Sequence, residues 1–501
     1  MSDRYLRLAW AAAGITFFLH LLANPHYGFF RDELYFIICG RHPSWGYVDQ
    51  PPLVPLIAAG SQLFGISLLA LRATAALCAA GSVFVIVRIV TQLGGGRFEA
   101  IFAAIVVALT PVLAVFGTQV GPDMVGLWLW PLAALYLLRI ADGASPRLWL
   151  AVGAVLGVSF EGKYSVVFFA VALAIGLALT KERRIFATPF FWYGALVGVA
   201  IALPNLLWQI AHDLPMLSVL EAGQHGKNVI LSPLSYLVQE ILLTNPLLAW
   251  LWIVGIVSAL RTAALRWLGI AALVMLAEMM LLRGKNYYPA DIYSIYIALG
   301  ALAIARSLTV RWGRIALVCA TPILAAWMIP VAVPILPTPQ ILAYTAFLRN
   351  ALHLSVASEN HKVARLGQDF ADMHGWPRLA ATVASIYAAL PPSERAGAAI
   401  FTDNYGEASA IAFFNPTSAL PPVLSGHNQY WLWGTHGASG ATIVAVGSRC
   451  PGGAGFYARQ RIVARFSNPL GMPYEDDLPI RLCREPRGTL ADIWPSVRHY
   501  N

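Results

Sequence analysis

The chain has 501 residues, 58% of them hydrophobic and only 12% charged, with a formal net charge of +9. A soluble domain carries roughly a quarter charged residues, so lipid is the main solvent of this fold. Lys and Arg fall in ones to threes between apolar runs rather than on a contiguous basic face, which excludes a nucleic-acid partner and points to control of membrane topology.

About 20 apolar residues cross a bilayer. On that scale, spans are expected near 6–23, 69–91, 99–118, 122–140, 148–161, 164–180, 189–210, 234–258, 266–282, 288–305 and 314–334, roughly eleven in all. The first segment lacks the small-residue cleavage site of a secretory leader, so it is expected to stay as a spanning helix. Directly after it comes the stretch YGFFRDELYFIICGRHPSWGYVDQPP, from Tyr27 to Pro52, which concentrates Arg31, Asp32, Glu33, Arg41, His42 and Asp49 in a chain otherwise poor in charge. Residues 25–68 form the first outer loop, in which the apolar piece Leu53 to Phe64 follows Pro51 and Pro52 and is too short to cross. It is expected as a juxtamembrane or re-entrant helix.

With the N-terminus in the cytoplasm, each inside connection is basic: Arg4 and Arg7, Arg88 and Arg97, Arg139 and Arg147, Lys181 with Arg183 and Arg184, Arg261 and Arg266, then Arg306, Arg311 and Arg314. That alternation follows the positive-inside rule. An odd number of spans places everything after them outside. The chain divides into a transmembrane part, 1–334, and a more polar extracytoplasmic part, 335–501. The latter has short apolar runs at 398–403, 441–447 and 478–483 and a helical stretch around Glu407 to Phe414, the pattern of a small α/β domain. Cys450 and Cys483 both fall there, where an oxidising compartment permits a disulfide, although the required Cα separation is not carried by sequence.

Polar residues not explained as inside anchors gather on the outer face. Besides the first loop they are Asp123, Glu161, Lys163, Glu221, His225, Lys227, Arg283, Lys285, Tyr287 and Tyr288. Charges at membrane depth cost several kcal/mol unless paired or hydrated, so a converging set is a site hypothesis, weighed against helix caps and snorkelling side chains. Acids facing Lys and Arg at a membrane surface suit a substrate with an anionic phosphate and a hydroxyl to be deprotonated. Glycosyl transfer from a lipid-linked sugar phosphate has both needs. His212 and His20 have duller readings, as an interfacial cap and a hydrogen-bonded interior residue. Tyr430, Trp431 and Trp433 fit either sugar stacking or an interfacial belt.

In this order, RDELYF, VDQPPL, LRATAAL, GGGRF, GPDM, LPNLLWQ, KNVILSPL, GKNYYPA, DNYGEASAI and SGHNQYWLWG resemble the GT-C membrane glycosyltransferases, in the bacterial branch related to protein O-mannosyltransferases and the lipid A aminoarabinose transferase. The resemblance implies a polytopic α-helical GT-C fold and an inverting transferase. Its donor is a polyprenyl-phosphate-linked sugar, and its acceptor a glycan, lipid or protein at the outer, periplasmic face of the bacterial inner membrane. By position, Asp32 matches the family's first-loop acid and is expected as general base, with Glu33 beside it as a second catalytic acid. Asp123, Glu161, Lys163, His225, Lys227, Arg283, Lys285, Tyr287 and Tyr288 are expected to bind substrate, with Lys285 and the two tyrosines at the donor phosphate. Asp49 matches an acid that helps hold a metal in the aminoarabinose transferase, so a divalent metal of unassigned identity is implied. Gln50 stands where that relative has Lys. The rival class is a transporter or flippase of a lipid-linked sugar. Transporters, however, place such residues at the bilayer midplane within internal repeats, and no repeat occurs here.

Overall fold

Glycines set how closely the membrane helices approach one another. The computed structural model describes residues 3–224, 230–351, 363–415, 420–447, 449–453 and 455–500. Its helices run α1 (Asp3–Ala23), α2 (Arg31–Arg41), α3 (Leu53–Gly60), α4 (Leu68–Gln92), α5 (Arg97–Leu109), α6 (Pro111–Phe116), α7 (Pro122–Ala141), α8 (Leu148–Gly162), α9 (Val166–Ala178), α10 (Pro189–Ala211) and α11 (Pro215–Ala222). They continue as α12 (Pro233–Leu243), α13 (Trp250–Arg261), α14 (Arg266–Leu281), α15 (Ala290–Ser307), α16 (Arg311–Ala326) and α17 (Ile329–Ala332). A Cβ added to Gly153 or Gly194 would collide with backbone across the α8/α10 crossing, one on Gly255 or Gly300 across α13/α15, and one on Gly176 across α9/α14. Lipid tails are as apolar as Leu, so close backbone packing of this kind, rather than hydrophobic exclusion, is what associates helices in a membrane.

Five described helices, α1, α4, α7, α10 and α15, are long and apolar enough to cross a membrane, while α8, α9, α12 and α13 are apolar but shorter. Three expected spans are interrupted. The one near 99–118 breaks between α5 and α6, because Pro111 has no N–H to continue the ladder and Thr110 turns its hydroxyl back to donate to the Val106 carbonyl at 2.7 Å. The one near 234–258 breaks between α12 and α13, where Asn245 takes a positive φ of 73° ahead of Pro246 and its amide donates to the Leu324 carbonyl at 3.1 Å. The one near 314–334 breaks between α16 and α17. The apolar piece after the double proline is the short helix α3.

After α17 the chain forms α18 (Thr338–Ala351), α19 (Gln368–Ala371), α20 (Trp376–Ala388) and α21 (Pro392–Arg395), and then a sheet. The strands are β1 (Ala398–Thr402), β2 (Val423–Ser425), β3 (Thr442–Val446), β4 (Tyr457–Phe466) and β5 (Leu478–Pro486), in the order β2-β1-β3-β5-β4. Pairs β2/β1 and β1/β3 are parallel; β3/β5 and β5/β4 are antiparallel. Helices α22 (Tyr405–Phe414), α23 (Gln429–Trp433) and α24 (Leu490–Val497) accompany it. Buried β1, β3 and β5 appear in the sequence as apolar runs. Strand β4 does not, because Arg459, Gln460 and Arg461 leave it solvated along most of its length. A disulfide joins Cys450 to Cys483 of β5, with Cα atoms 6.1 Å apart.

This sheet-bearing part is seated on the first loop. Leu34, Tyr35 and Ile38 of α2 share a core with Ile411 and Phe413 of α22 and with Tyr430 of α23. Phe30 at the start of α2 is buried with Ile341, Phe370, Met373 and Met472. Each large side chain removed from water contributes about 1.5–3 kcal/mol, so α2 is held between the membrane helices and the sheet.

What fixes the start of α2 is an ion pair. Glu33 and Arg72 are both 0% exposed. Arg72 Nε and Nη2 donate to Glu33 at 2.9 and 3.0 Å, while its Nη1 and Nη2 also donate to the Asn24 and Gly28 carbonyls at 2.6 and 2.8 Å. The Phe30 and Val120 amides complete the carboxylate at 2.8 and 3.0 Å. We expect Glu33→Ala to cost about 3–5 kcal/mol, because it leaves a buried guanidinium uncompensated. Thermal unfolding of the detergent-purified protein measures this, and a melting temperature within a degree or so of the parent would contradict it.

Candidate functional site

Two polar groupings lie at the same end of the helix bundle. The first is on α2. Asp32 is the one acid of the DE pair that keeps contact with solvent, its side chain 29% exposed. Arg31 Nε donates to its Oδ1 at 3.2 Å and the Tyr405 hydroxyl to the same oxygen at 2.8 Å, which leaves Oδ2 without a donor among the described residues. Arg31 is itself buried. Its Nη1 lies 3.5 Å from Asp372 Oδ2 and donates to the Tyr474 hydroxyl at 3.1 Å, and its guanidinium sits 5.5 Å from the Tyr405 ring centroid. Helix α2 therefore presents Asp32 at the seam with the sheet-bearing part, with Tyr405 of α22 orienting it. Glu33, one residue on, points into the Arg72 clamp with every strong acceptor direction engaged.

The second grouping gathers the ends of α7, α8, α9, α14 and α15. Lys163 pairs with Asp123 at the start of α7. Its ammonium also lies 4.4 Å from the Tyr288 ring centroid and 5.2 Å from that of Tyr287, and Lys285 lies 5.7 Å from Tyr287. Cations over ring faces are held by the ring quadrupole. Glu161 is half-buried, with its Oε1 lacking a partner among the described residues. Arg283 is exposed, in a left-handed backbone conformation with φ 54°. His225 and Lys227 lie outside the described residues.

Asp369 connects the two groupings. Its Oδ1 accepts from Gln119 Nε2 at 2.9 Å. Burial pushes its carboxyl up, and the charges of Asp32 and Asp123 add to the rise, so it sits within electrostatic reach of both. Asp49 stands on the other flank of Asp32, accepting from the Tyr35 hydroxyl and the Asn428 amide, each at 3.0 Å. Desolvation pushes its carboxyl up to about 6, against the pull of the Tyr35 hydrogen bond. Both Asp49 oxygens are thus occupied by neutral donors. Among the described residues no three His, Cys, Asp or Glu side chains converge as metal ligands, so the residues present do not build the divalent-cation site implied for Asp49, and no step is routed through a metal.

Residues 49–208 match the family model of dolichyl-phosphate-mannose-protein mannosyltransferases. The lipid A galacturonosyltransferase RgtD of Rhizobium johnstonii is 27% identical over 187 residues, which span 37% of this chain and 39% of that protein. ArnT of Cupriavidus metallidurans superposes with a TM-score of 0.55 at 16% identity when bound to undecaprenyl phosphate, covering 97% of this chain and 100% of ArnT. Its apo form gives 0.57 at 16% identity, covering 96% and 99%. The chain shares the fold of the ArnT structures, and its residues 49–208 resemble the mannosyltransferase family. The family match begins at Asp49 and takes in Asp123 and Lys163, whereas Asp32 and the tyrosines of the late GK element fall outside it.

Several residues of this candidate site were not visible in sequence. Asp369, Asp372 and Tyr405 come from the polar part of the chain, and only folding sets them against α2. Asp291, at the start of α15, is 2% exposed and lies against Gly126 of α7, with its Oδ1 lacking a partner among the described residues. An acid opening a late apolar helix one turn after the tyrosine pair was the available signal for it.

Acids at the seam carry a pH signature. Glu475 is buried, accepts from Asn404 Nδ2 at 3.0 Å, and is pushed up to about 8 by desolvation and then by the Asp372 charge, from an ordinary value of 4.5. The folded chain therefore keeps a proton that the unfolded chain gives up near its ordinary value. The stabilisation is complete below that value and is lost as pH rises through about 8. We expect the melting temperature of the purified protein to fall from about pH 5 to about pH 8.5, and to fall less steeply in Glu475→Gln, which cannot ionise. Parallel curves for the two proteins would overturn this.

Proposed function

We propose that this protein is an inverting glycosyltransferase that moves a sugar from a polyprenyl-phosphate donor to a cell-envelope acceptor at the outer, periplasmic face of the bacterial inner membrane. The observation that carries the reading is a carboxylate with one oxygen unengaged, Asp32, at the end of the bundle that also holds two lysines over a tyrosine pair. A donor of this class needs cations for its phosphate, and the acceptor needs a base for its hydroxyl. Lys163 and Lys285 supply the first, with Tyr287 and Tyr288 holding them in place. Asp32 supplies the second.

In the reaction Asp32 Oδ2 takes the proton of the acceptor hydroxyl as the oxygen attacks the anomeric carbon. The bond from that carbon to the phosphate oxygen breaks, and the polyprenyl phosphate leaves with the electron pair. Attack opposite the leaving group inverts the anomeric centre. Tyr405 and Arg31 orient Asp32, and Glu33 serves the fold rather than the chemistry. The bound lipid of the ArnT structure, undecaprenyl phosphate, supports the donor class, and RgtD supports a lipid-linked glycan as acceptor. The disulfide between Cys450 and Cys483 supports an oxidising compartment for the sheet-bearing part.

Asp32→Asn keeps the shape of the side chain and removes its basic oxygen. Transfer in a reconstituted assay with the lipid-linked donor should fall by about 10²–10⁴-fold, with donor binding and unfolding temperature unchanged. Near-parental turnover would refute Asp32 as the base. Orientation is tested separately: alkaline phosphatase fused to the C-terminus should be active, and a fluorescent protein that matures only in the cytoplasm should stay dark. The reverse pattern would place the site on the wrong side of the membrane.

A further inference from the structure

A cleft of about 520 Å³ opens beside the Asp32 site, and the transfer chemistry leaves it without a role. Three separate elements build it: the end of α2 with Arg41 and His42, the end of α10 with Trp208 and His212, and α23 with Gln429 and Trp433. Its walls are fixed. Asn205 Nδ2 donates to the Trp45 carbonyl and Gln209 Nε2 to the Tyr47 carbonyl, both at 2.9 Å, clamping the first loop onto α10. Gly46 lies so close to the Trp208 ring that a Cβ there would come within 2.6 Å of it.

Two indoles face the space, each backed by an imidazole. The Trp433 and His42 ring centroids are 4.9 Å apart, and those of Trp208 and His212 are 4.1 Å apart. Within the aromatic run of α23 the roles divide. Tyr430 is buried, Trp431 exchanges hydrogen bonds with Trp494 at 2.9 and 3.0 Å, and only Trp433 lines the cleft. No carboxylate is among the lining residues. Arg41 is exposed and has no acidic partner among the described residues, its guanidinium resting 5.4 Å from the Phe413 ring centroid.

Indole faces cover the C–H face of a pyranose and leave its hydroxyls to the rim, while a guanidinium with no acid nearby favours a planar anion. We propose that this cleft binds an anionic sugar, bearing a phosphate or a carboxylate, of the acceptor. The name acceptor rests on the transferase reading above, whereas binding of the sugar does not require turnover. Two tyrosines, Tyr35 and Tyr405, link the cleft wall at Gln429 to the base. The Gln429 amide donates to the Tyr35 hydroxyl at 3.3 Å, the Tyr35 and Tyr405 ring centroids are 4.5 Å apart, and Tyr405 donates to Asp32. The cleft and the carboxylate are therefore built on the same element, α2, and are coupled through these tyrosines.

The test is calorimetric titration of the full-length protein in detergent with maltose 1-phosphate, digalacturonic acid and neutral maltose. At least one anionic disaccharide should bind about tenfold or more tighter than maltose, and which one does so assigns the anion as phosphate or carboxylate. Arg41→Gln, at an exposed position, should abolish the preference, and Trp433→Ala should weaken all three sugars. Asp32→Asn should bind as the parent does, which separates failure of this site from failure of the transferase reading. Equal binding of the three sugars, no detectable binding of any, or a preference that survives in Arg41→Gln would overturn the proposal.

Discussion

The buried pair of Glu33 and Arg72 is the constraint on which the site depends. One guanidinium reaches the carbonyls of Asn24, His26 and Gly28 as well as the carboxylate. The same carboxylate accepts from the amides that open α2 and precede α7. Three segments far apart in sequence, residues 24–33, Arg72 and Val120, are thereby tied at one point. Desolvating two charges is costly, and the cost is offset only because all their hydrogen-bonding directions are used. The reward is positional. With Glu33 pinned inward, the next side chain back along the helix, Asp32, is turned outward at a fixed height above the bundle.

Division of labour between two adjacent acids follows from this. In RDELYF the sequence presents Asp32 and Glu33 as near equals. Helical geometry separates their directions by about 100°, and Arg72, contributed by α4, selects which one is consumed by structure. The two acids thus differ in what is left over: Glu33 has its oxygens matched inside the protein, while Asp32 keeps one oxygen unengaged among the described residues.

The sheet-bearing part is not an appendage to the membrane helices. It supplies Tyr405 to Asp32, Asp372 to Arg31 and Asn428 to Asp49, and it supplies one wall of the aromatic cleft. Its burial against α2 means that the first loop is packed from both sides. The raised carboxyls of Asp49 and Glu475 follow first from desolvation in that seam, with the charges of Asp32 and Asp372 adding to the rise.

Composition and hydropathy alone determined that the chain lives in lipid and that its last third is a mixed α/β unit. They also located the charged first loop, because lipid penalises every unpaired charge and so leaves a sparse, readable pattern. Residue order carried the resemblance to the GT-C family and with it the expectations for Asp32, Asp123 and Lys285. Tertiary structure decided what local sequence has no means to encode. It broke apolar runs at Pro111 and around Asn245, where the backbone hydrogen-bond ladder fails although hydropathy does not. It made Glu33 structural through a partner 39 positions away, and left Asp49 with neutral donors instead of a ligand set. It also brought Asp369, Asp372, Tyr405 and Trp433 to the first loop, contacts made across hundreds of residues by packing of apolar faces whose partners are fixed only when the whole chain folds.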